Sequence, residues 1–214
     1  MSTFTTEDRI EATKQGTDAW HQMRLGKVTA SRVADIMAKT KTGASTSRQN
    51  YLIELALARV TGTPEASYTS PAMQWGIDNE AQARMAYEIY SSDFVDQVPF
   101  VDHPNIEWFG ASPDGLIRNE GLVEIKCPNS ATHWATIKSG EAPNKYVYQM
   151  QTQMACTNTE WCDFVSFDPR MPQRSQLFVK RVFRDNDMIS EIEEAVKQFL
   201  NEVHEEVLLM KGSQ

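Results

Sequence analysis

From Met188 to Met210, the residues Ile189, Ile192, Val196, Phe199, Leu200, Val203 and Val207 recur every three or four positions. Glu191, Glu194, Glu202, Glu205 and Glu206 occupy much of the space between them. That spacing lays an apolar stripe along one side of a long helix and a charged face along the other. A helix of this kind is stable only where another layer covers the stripe, so the remaining chain must supply one. Much of the negative charge then belongs to a solvated outer face.

Shorter periodic segments precede it. Val33, Ala34, Ile36 and Met37 predict a short helix with Ser31 as its cap. Tyr51, Leu52, Leu55 and Ala56 predict a second over 49–60, ended by Gly62, and KTKTGASTSRQ between them reads as a loop. A third over about 72–90 places Gly76, Glu80, Ala83 and Tyr87 on one face. The pattern then changes to the β-rich runs FVDQVPFV, IEWFGAS, GLIR and LVEIK, punctuated by Pro-Asp-Gly and Asn-Glu-Gly turns. Helices near 130–138 and 144–157 and the strands WCDFVSF and QLFVKRVF complete the series. The order predicts an α/β sandwich around one mixed sheet, a single domain over 1–214 with residues 1–19 as a loosely structured lead-in.

Composition narrows the class. The chain has 214 residues, 41% of them hydrophobic and 23% charged, which is ordinary for a globular domain with a proper core. No stretch approaches the length of a membrane span, and the polar start lacks an apolar signal core, so a cytoplasmic protein is expected. Cys127, Cys156 and Cys162 lack CxxC spacing and suggest neither disulfides nor a zinc site, and the four histidines form no HxH or HExxH pattern. The net charge of −8 leans away from a protein that merely holds nucleic-acid phosphates, which would carry a basic excess.

Chemistry concentrates in Ser112-Pro113-Asp114-Gly115 and Glu124-Ile125-Lys126-Cys127-Pro128. In an extended strand Glu124 and Lys126 share a face, and a sharp bend at Asp114 would bring its carboxylate beside Glu124 across a hairpin. Two converging carboxylates suit Mg²⁺ or Mn²⁺, and a neighbouring ammonium suits a phosphoryl transition state. Taken alone, the spacing is a weak signal, because a turn residue beside a polar surface strand produces the same pattern and such triplets arise often by chance. Arg24 offers a planar donor fork and Ser31 and Ser112 offer hydroxyls, but a surface ion pair and a helix cap fit those residues too.

The segments GASPDGL and VEIKCP resemble the core of the phage lambda exonuclease family, within the PD-(D/E)xK nuclease superfamily. WHQMRLGKVTASRVADIM (20–37), WGIDNEAQARMAYE (75–88), YVYQMQTQM (146–154) and DFVSFDPR (163–170) are similar to its other motifs, in the same order. The resemblance implies a restriction-endonuclease-like core and a catalytic set of Asp114, Glu124, Lys126, Glu80 and Gln149. Asp114, Glu124 and the Ile125 main-chain carbonyl would be metal ligands, with Lys126 positioning or activating the attacking water and a pair of Mg²⁺ ions (Mn²⁺ as substitute) expected. It implies too that Arg24, Ser31 and Ser112 form a pocket for a 5′-phosphate. The activity implied is 5′→3′ degradation of linear double-stranded DNA to 5′-mononucleotides, leaving 3′ single-stranded tails. A ring-shaped homotrimer and a single-strand annealing recombinase as partner, in a phage or prophage setting within the bacterial cytoplasm, complete the expectation. A related endonuclease or single-strand-preferring nuclease with the same metal site, and a non-enzymatic DNA-end-binding subunit, are the rival readings. Of the remaining residues, Lys39, Lys41 and Arg48 suggest a DNA-backbone contact. Trp20, Trp75, Trp108, Trp134 and Trp161 offer a base-stacking wedge or ordinary core.

Overall fold

The computed structural model describes residues 15–40, 43–63 and 69–212. The first helix, α1 (Asp18–Arg24), begins inside the stretch read as a lead-in, with the Thr17 side chain accepting from the Trp20 amide as its cap. Residues 1–14 of that stretch lie outside the described residues. Strand β1 (Val28–Thr29) runs into a 3₁₀ turn (Ala30–Arg32) and α2 (Val33–Met37). A small hairpin, β2 (Lys39–Thr40) and β3 (Gly43–Ala44), stands where a loop was expected. Helix α3 (Thr46–Thr61) is capped by Ser45 and ends on Gly62, whose φ of 70° glycine adopts without steric cost. Helix α4 (Pro71–Ser91) starts at the Ser70 cap with proline in its first turn.

The strands divide between two mixed sheets. The smaller, in the order β1-β5-β4, pairs β5 (Phe109–Ala111) parallel to β1 and antiparallel to β4 (Val101–Asp102). The larger has the order β6-β7-β8-β9, from β6 (Gly115–Ile117), β7 (Gly121–Lys126), β8 (Trp161–Phe167) and β9 (Leu177–Phe183). Only β7 and β8 are parallel in it, and such a pair needs a long crossover. Helices α5 (Ser130–Ser139) and α6 (Asn144–Thr157) supply that crossover. The run FVDQVPFV is mostly irregular, joined to the larger sheet by one bridge, Asp96 to Leu116.

Helices cover both faces of the larger sheet. Ala83 and Tyr87 of α4 pack with Ile117, Val123, Ile125 and Val165 on one side. Met150 and Met154 of α6 pack with Leu122, Cys162 and Phe164 on the other. The C-terminal helix, α7 (Asn186–Met210), lays Ile192, Val196, Phe199 and Val203 against Tyr51, Leu52 and Leu55 of α3, over Val28 and Phe109 of the smaller sheet. The periodic stripe is therefore the buried one, and its covering layer is helical rather than the main sheet. Among the described residues no helix is long and apolar enough to cross a membrane.

Candidate active site

Three residues, Ser112, Pro113 and Asp114, join β5 of one sheet to β6 of the other, so whatever they carry sits at the seam between the sheets. The chain bends at Asp114, as its flanking proline suggested. The pairing of Gly115 with Val123 carries Asp114 alongside Glu124, and Asp114 Oδ2 accepts the Ile125 amide at 2.7 Å. Gly115 is a strand residue here rather than a turn residue. Its missing Cβ leaves room for the Val95 side chain, which packs directly on it.

Glu124 is completely buried, which excludes the surface-strand reading. Its Oε1 accepts from Gln149 Nε2 at 2.7 Å and pairs with the Lys126 ammonium; its Oε2 accepts from Gln153 Nε2 at 2.6 Å. Burial, then the neighbouring charge of Asp114, pushes the Glu124 carboxyl up to about 7. Burial alone would lower the Lys126 ammonium, but Glu124 and Asp114 outweigh it and hold its pKa above the ordinary lysine value. Glu80 faces the same region from α4 yet is paired with Arg84 at 2.6 Å. Burial and the Asp114 charge raise its carboxyl as well.

Among the described residues, no three His, Cys, Asp or Glu side chains lie close enough together to enclose an ion. The protein donors at hand are the carboxylates of Asp114 and Glu124, with the Ile125 carbonyl on the strand between Glu124 and Lys126. That set fits a hard divalent cation. Mg²⁺ commonly takes one or two carboxylates and keeps several waters. The Asp114 charge destabilises the ionised forms of both Glu80 and Glu124, a surplus that a cation would relieve. The one soft ligand nearby, Cys127, is pushed up to about 12 by burial and by Glu80 and Asp114, so it stays a neutral thiol.

Beside the carboxylates lies an anion-seeking corner. The Arg24 guanidinium stacks on the Trp20 ring at 3.8 Å, and its Nη1 is 3.4 Å from Ser112 Oγ. Ser112 Oγ accepts the Trp20 indole N–H at 3.0 Å. Burial lowers the Arg24 pKa to about 10, and among the described residues no carboxylate pairs with it. A desolvated arginine without a counter-ion is a site prepared for an anion. Ser31 does not cap α2: it lies inside the 3₁₀ turn, its hydroxyl 3.3 Å from Thr29 Oγ1. One cavity of about 220 Å³ is lined by Arg24, Ser31 and Ser112 together with Asp114, Lys126 and Gln149.

Three residues of this site were not singled out for it by sequence reasoning. Trp20 precedes Arg24 by four positions on α1, the spacing that lets an aromatic ring and a guanidinium stack. Gln153 follows Gln149 by four on α6, so both amides reach Glu124. Gln15 donates to Pro113 O at 3.3 Å and Asp114 Oδ1 at 3.4 Å, and nothing in its local sequence signalled that. Arg48, read as a DNA contact, is instead bound bidentately by Glu202 at 2.7 and 2.8 Å, pinning α3 to α7. Lys41 of the same group lies outside the described residues. Of the other tryptophans, Trp75 and Trp161 lie under Arg170 and Arg181, while Trp108 and Trp134 are exposed.

Comparison with known proteins follows the same outline. The sequence profile of the YqaJ-like viral recombinase domain matches residues 19–160, about two thirds of the chain. LHK-Exo, an alkaline exonuclease from Laribacter hongkongensis solved alone and in complex with dAMP, is 51% identical. The match covers 91% of this chain and 96% of that one, with a TM-score of 0.86. A phage related exonuclease from Haemophilus somnus 129PT, 18% identical over 87% of this chain and 96% of that chain, has a TM-score of 0.64 and shares the fold. No curated protein matches. The restriction-endonuclease-like core expected from the motifs is the architecture found.

Proposed function

Because the chain belongs to the YqaJ-like viral recombinase family, we propose that it is a Mg²⁺-dependent exonuclease. It degrades the 5′-ended strand of linear double-stranded DNA, releases 5′-mononucleotides and leaves 3′ single-stranded tails. The observation that carries this reading is the single cavity in which Arg24, Ser31 and Ser112 adjoin Asp114, Lys126 and Gln149. An anion corner one step from a carboxylate site is what removal of one terminal nucleotide at a time requires. The complex of the 51%-identical LHK-Exo with dAMP, a mononucleotide, supports the same product.

In this reading Arg24, Ser31 and Ser112 hold the terminal 5′-phosphate, and the distance to the carboxylates selects the bond cut. Asp114, Glu124 and the Ile125 carbonyl would hold the metal, singly or as a pair, with Glu80 adding negative charge from α4. When bound, Mg²⁺ would polarise the phosphoryl oxygens and offset the charge that develops on them. Lys126, held as an ammonium by Glu124 and Asp114 in the metal-free protein, would position or activate the attacking water and stabilise developing charge. Gln149 holds Glu124 Oε1. A ring-shaped homotrimer would explain processive action by an acidic protein, since a basic lumen can coexist with an acidic exterior. A single-strand annealing recombinase in the bacterial cytoplasm would take up the 3′ tail.

The test is a time course on blunt linear duplexes with Mg²⁺, carrying either a 5′-phosphate or a 5′-hydroxyl, with the two strands labelled separately. Mononucleotides released progressively from the phosphorylated 5′ strand are expected. Internal cuts, or attack from the 3′ end, would refute the exonuclease polarity while keeping the hydrolysis. End binding without cleavage would leave a binding subunit.

A further inference from the structure

Glu124 is a carboxylate taken wholly out of water, and each of its oxygens is accounted for differently. Oε1 receives two donors, the Gln149 amide at 2.7 Å and the Lys126 ammonium. Oε2 receives one, the Gln153 amide at 2.6 Å. A carboxylate oxygen has two lone pairs, so Oε1 is saturated and Oε2 keeps acceptor capacity to spare. Gln153 is itself fully buried, and its own Oε1 has no hydrogen-bond partner. The amide sense is therefore set by Glu124 alone. Reversed, it would turn an oxygen toward a carboxylate oxygen.

The other buried glutamines of α6 make the contrast. Gln151, two positions earlier, bonds the Phe183 carbonyl at 2.8 Å and the Asp185 amide at 2.9 Å, and so ties α6 to the end of β9. Both of its polar atoms are spent on backbone, a structural arrangement. Gln153 spends its donor on a site carboxylate and leaves its acceptor bare, so its side-chain hydrogen bonding is directed at the site alone.

Resting on the nuclease reading above, we infer that Gln153 is a positioning residue. It fixes the orientation of the Glu124 carboxylate from its Oε2 side, opposite the cavity-lining Gln149 and Lys126, and so sets metal affinity without touching substrate. Partners behind a metal ligand typically change affinity by about 10–100-fold when removed. Gln153→Met keeps the length of the side chain while deleting the donor.

The experiment titrates Mn²⁺ into the full-length protein without DNA, following loss of the free-ion electron paramagnetic resonance signal. The same variant is assayed for metal-free binding to a 5′-phosphorylated duplex end, and for kcat against Mn²⁺ concentration. Gln153→Met is expected to weaken Mn²⁺ binding about 10–100-fold, leave end binding unchanged, and regain most of its kcat at saturating Mn²⁺. Gln153→Asn, a methylene too short to reach Glu124, carries the same expectation should the methionine variant fail to fold. Wild-type Mn²⁺ affinity in a folded variant would overturn the assignment. So would an equal loss of end binding, which would mark general collapse of the cavity. If the unsubstituted chain neither binds Mn²⁺ nor cuts DNA, the nuclease reading itself fails, a distinct result.

Discussion

At the scale of single residues, the site is governed by charge taken out of water. Glu124 has its carboxyl raised from 4.5 to about 7 by burial and by Asp114, so the metal-free protein retains much of that proton below neutrality. A cation can bind only the carboxylate form, so metal binding must expel the proton there. Mn²⁺ affinity should therefore rise with pH up to about 7 and level off above it. Calorimetry in two buffers of different ionisation enthalpy should show proton release at mildly acidic pH and little in the alkaline range. Arg24 makes the complementary case, a cation without a counter-ion. Arg24→Ala should erase most of the preference for a 5′-phosphate over a 5′-hydroxyl, read as the ratio of kcat/KM on the two ends. Arg24→Lys keeps the charge but loses the fork and the stack on Trp20, and should recover only part of it.

At the scale of elements, the carboxylate hairpin and the helical layer answer to different forces. The turn of β6 and β7 holds Arg118 and Asn119 at φ of 50° and 60°, the mirror-image turn whose twist matches that of paired strands. At its other end Gly115 makes room for Val95. Gly115→Ala should overpack that contact at about 1–3 kcal/mol and shift Asp114 with it, lowering turnover more than end binding. By contrast, Phe199 of α7 is fully buried and stacks on Tyr51 of α3, with ring centroids 5.5 Å apart. Phe199→Ala should destabilise by about 3–5 kcal/mol in urea unfolding. Activity per folded molecule should persist, because α7 contributes no residue to the cavity.

At the scale of the whole molecule, the net charge of −8 means that under the proposed function any basic surface facing DNA must be local, as the lumen of the proposed ring would be. Helix α4 leaves Met73, Ile77, Met85 and Ile89 exposed. The proposed ring makes a definite prediction: sedimentation should give three times the 24.3 kDa of one chain. A concentration-independent single-chain mass would remove the ring, and with it the account of processivity.

Near-neighbour patterns account for most of the helices and for the hairpin that carries Asp114 and Glu124, but not for α1, which lies in the stretch read as a lead-in, and the candidate ligands were named through the family resemblance. The α7 stripe, the Gly62 helix end and the Glu124-Ile125-Lys126 strand are local patterns and stand where the spacing put them, whereas α3 starts at Thr46 on the Ser45 cap, inside the stretch read as a loop. Contacts between segments far apart in the chain set the remainder. The pairing of Val28 with Phe109 splits off a second sheet, and a parallel contact between two short strands so far apart in sequence leaves no local mark. That pairing puts Ser112 and Asp114 at a seam and frees Ser31 from capping. Whether Glu124 was a surface acid or a buried one likewise depended on which helix lay over β7. Burial by α6, with Gln149 and Gln153 as its only polar offering to the carboxylate, turned an ordinary triplet into a strained charge that a cation can relieve.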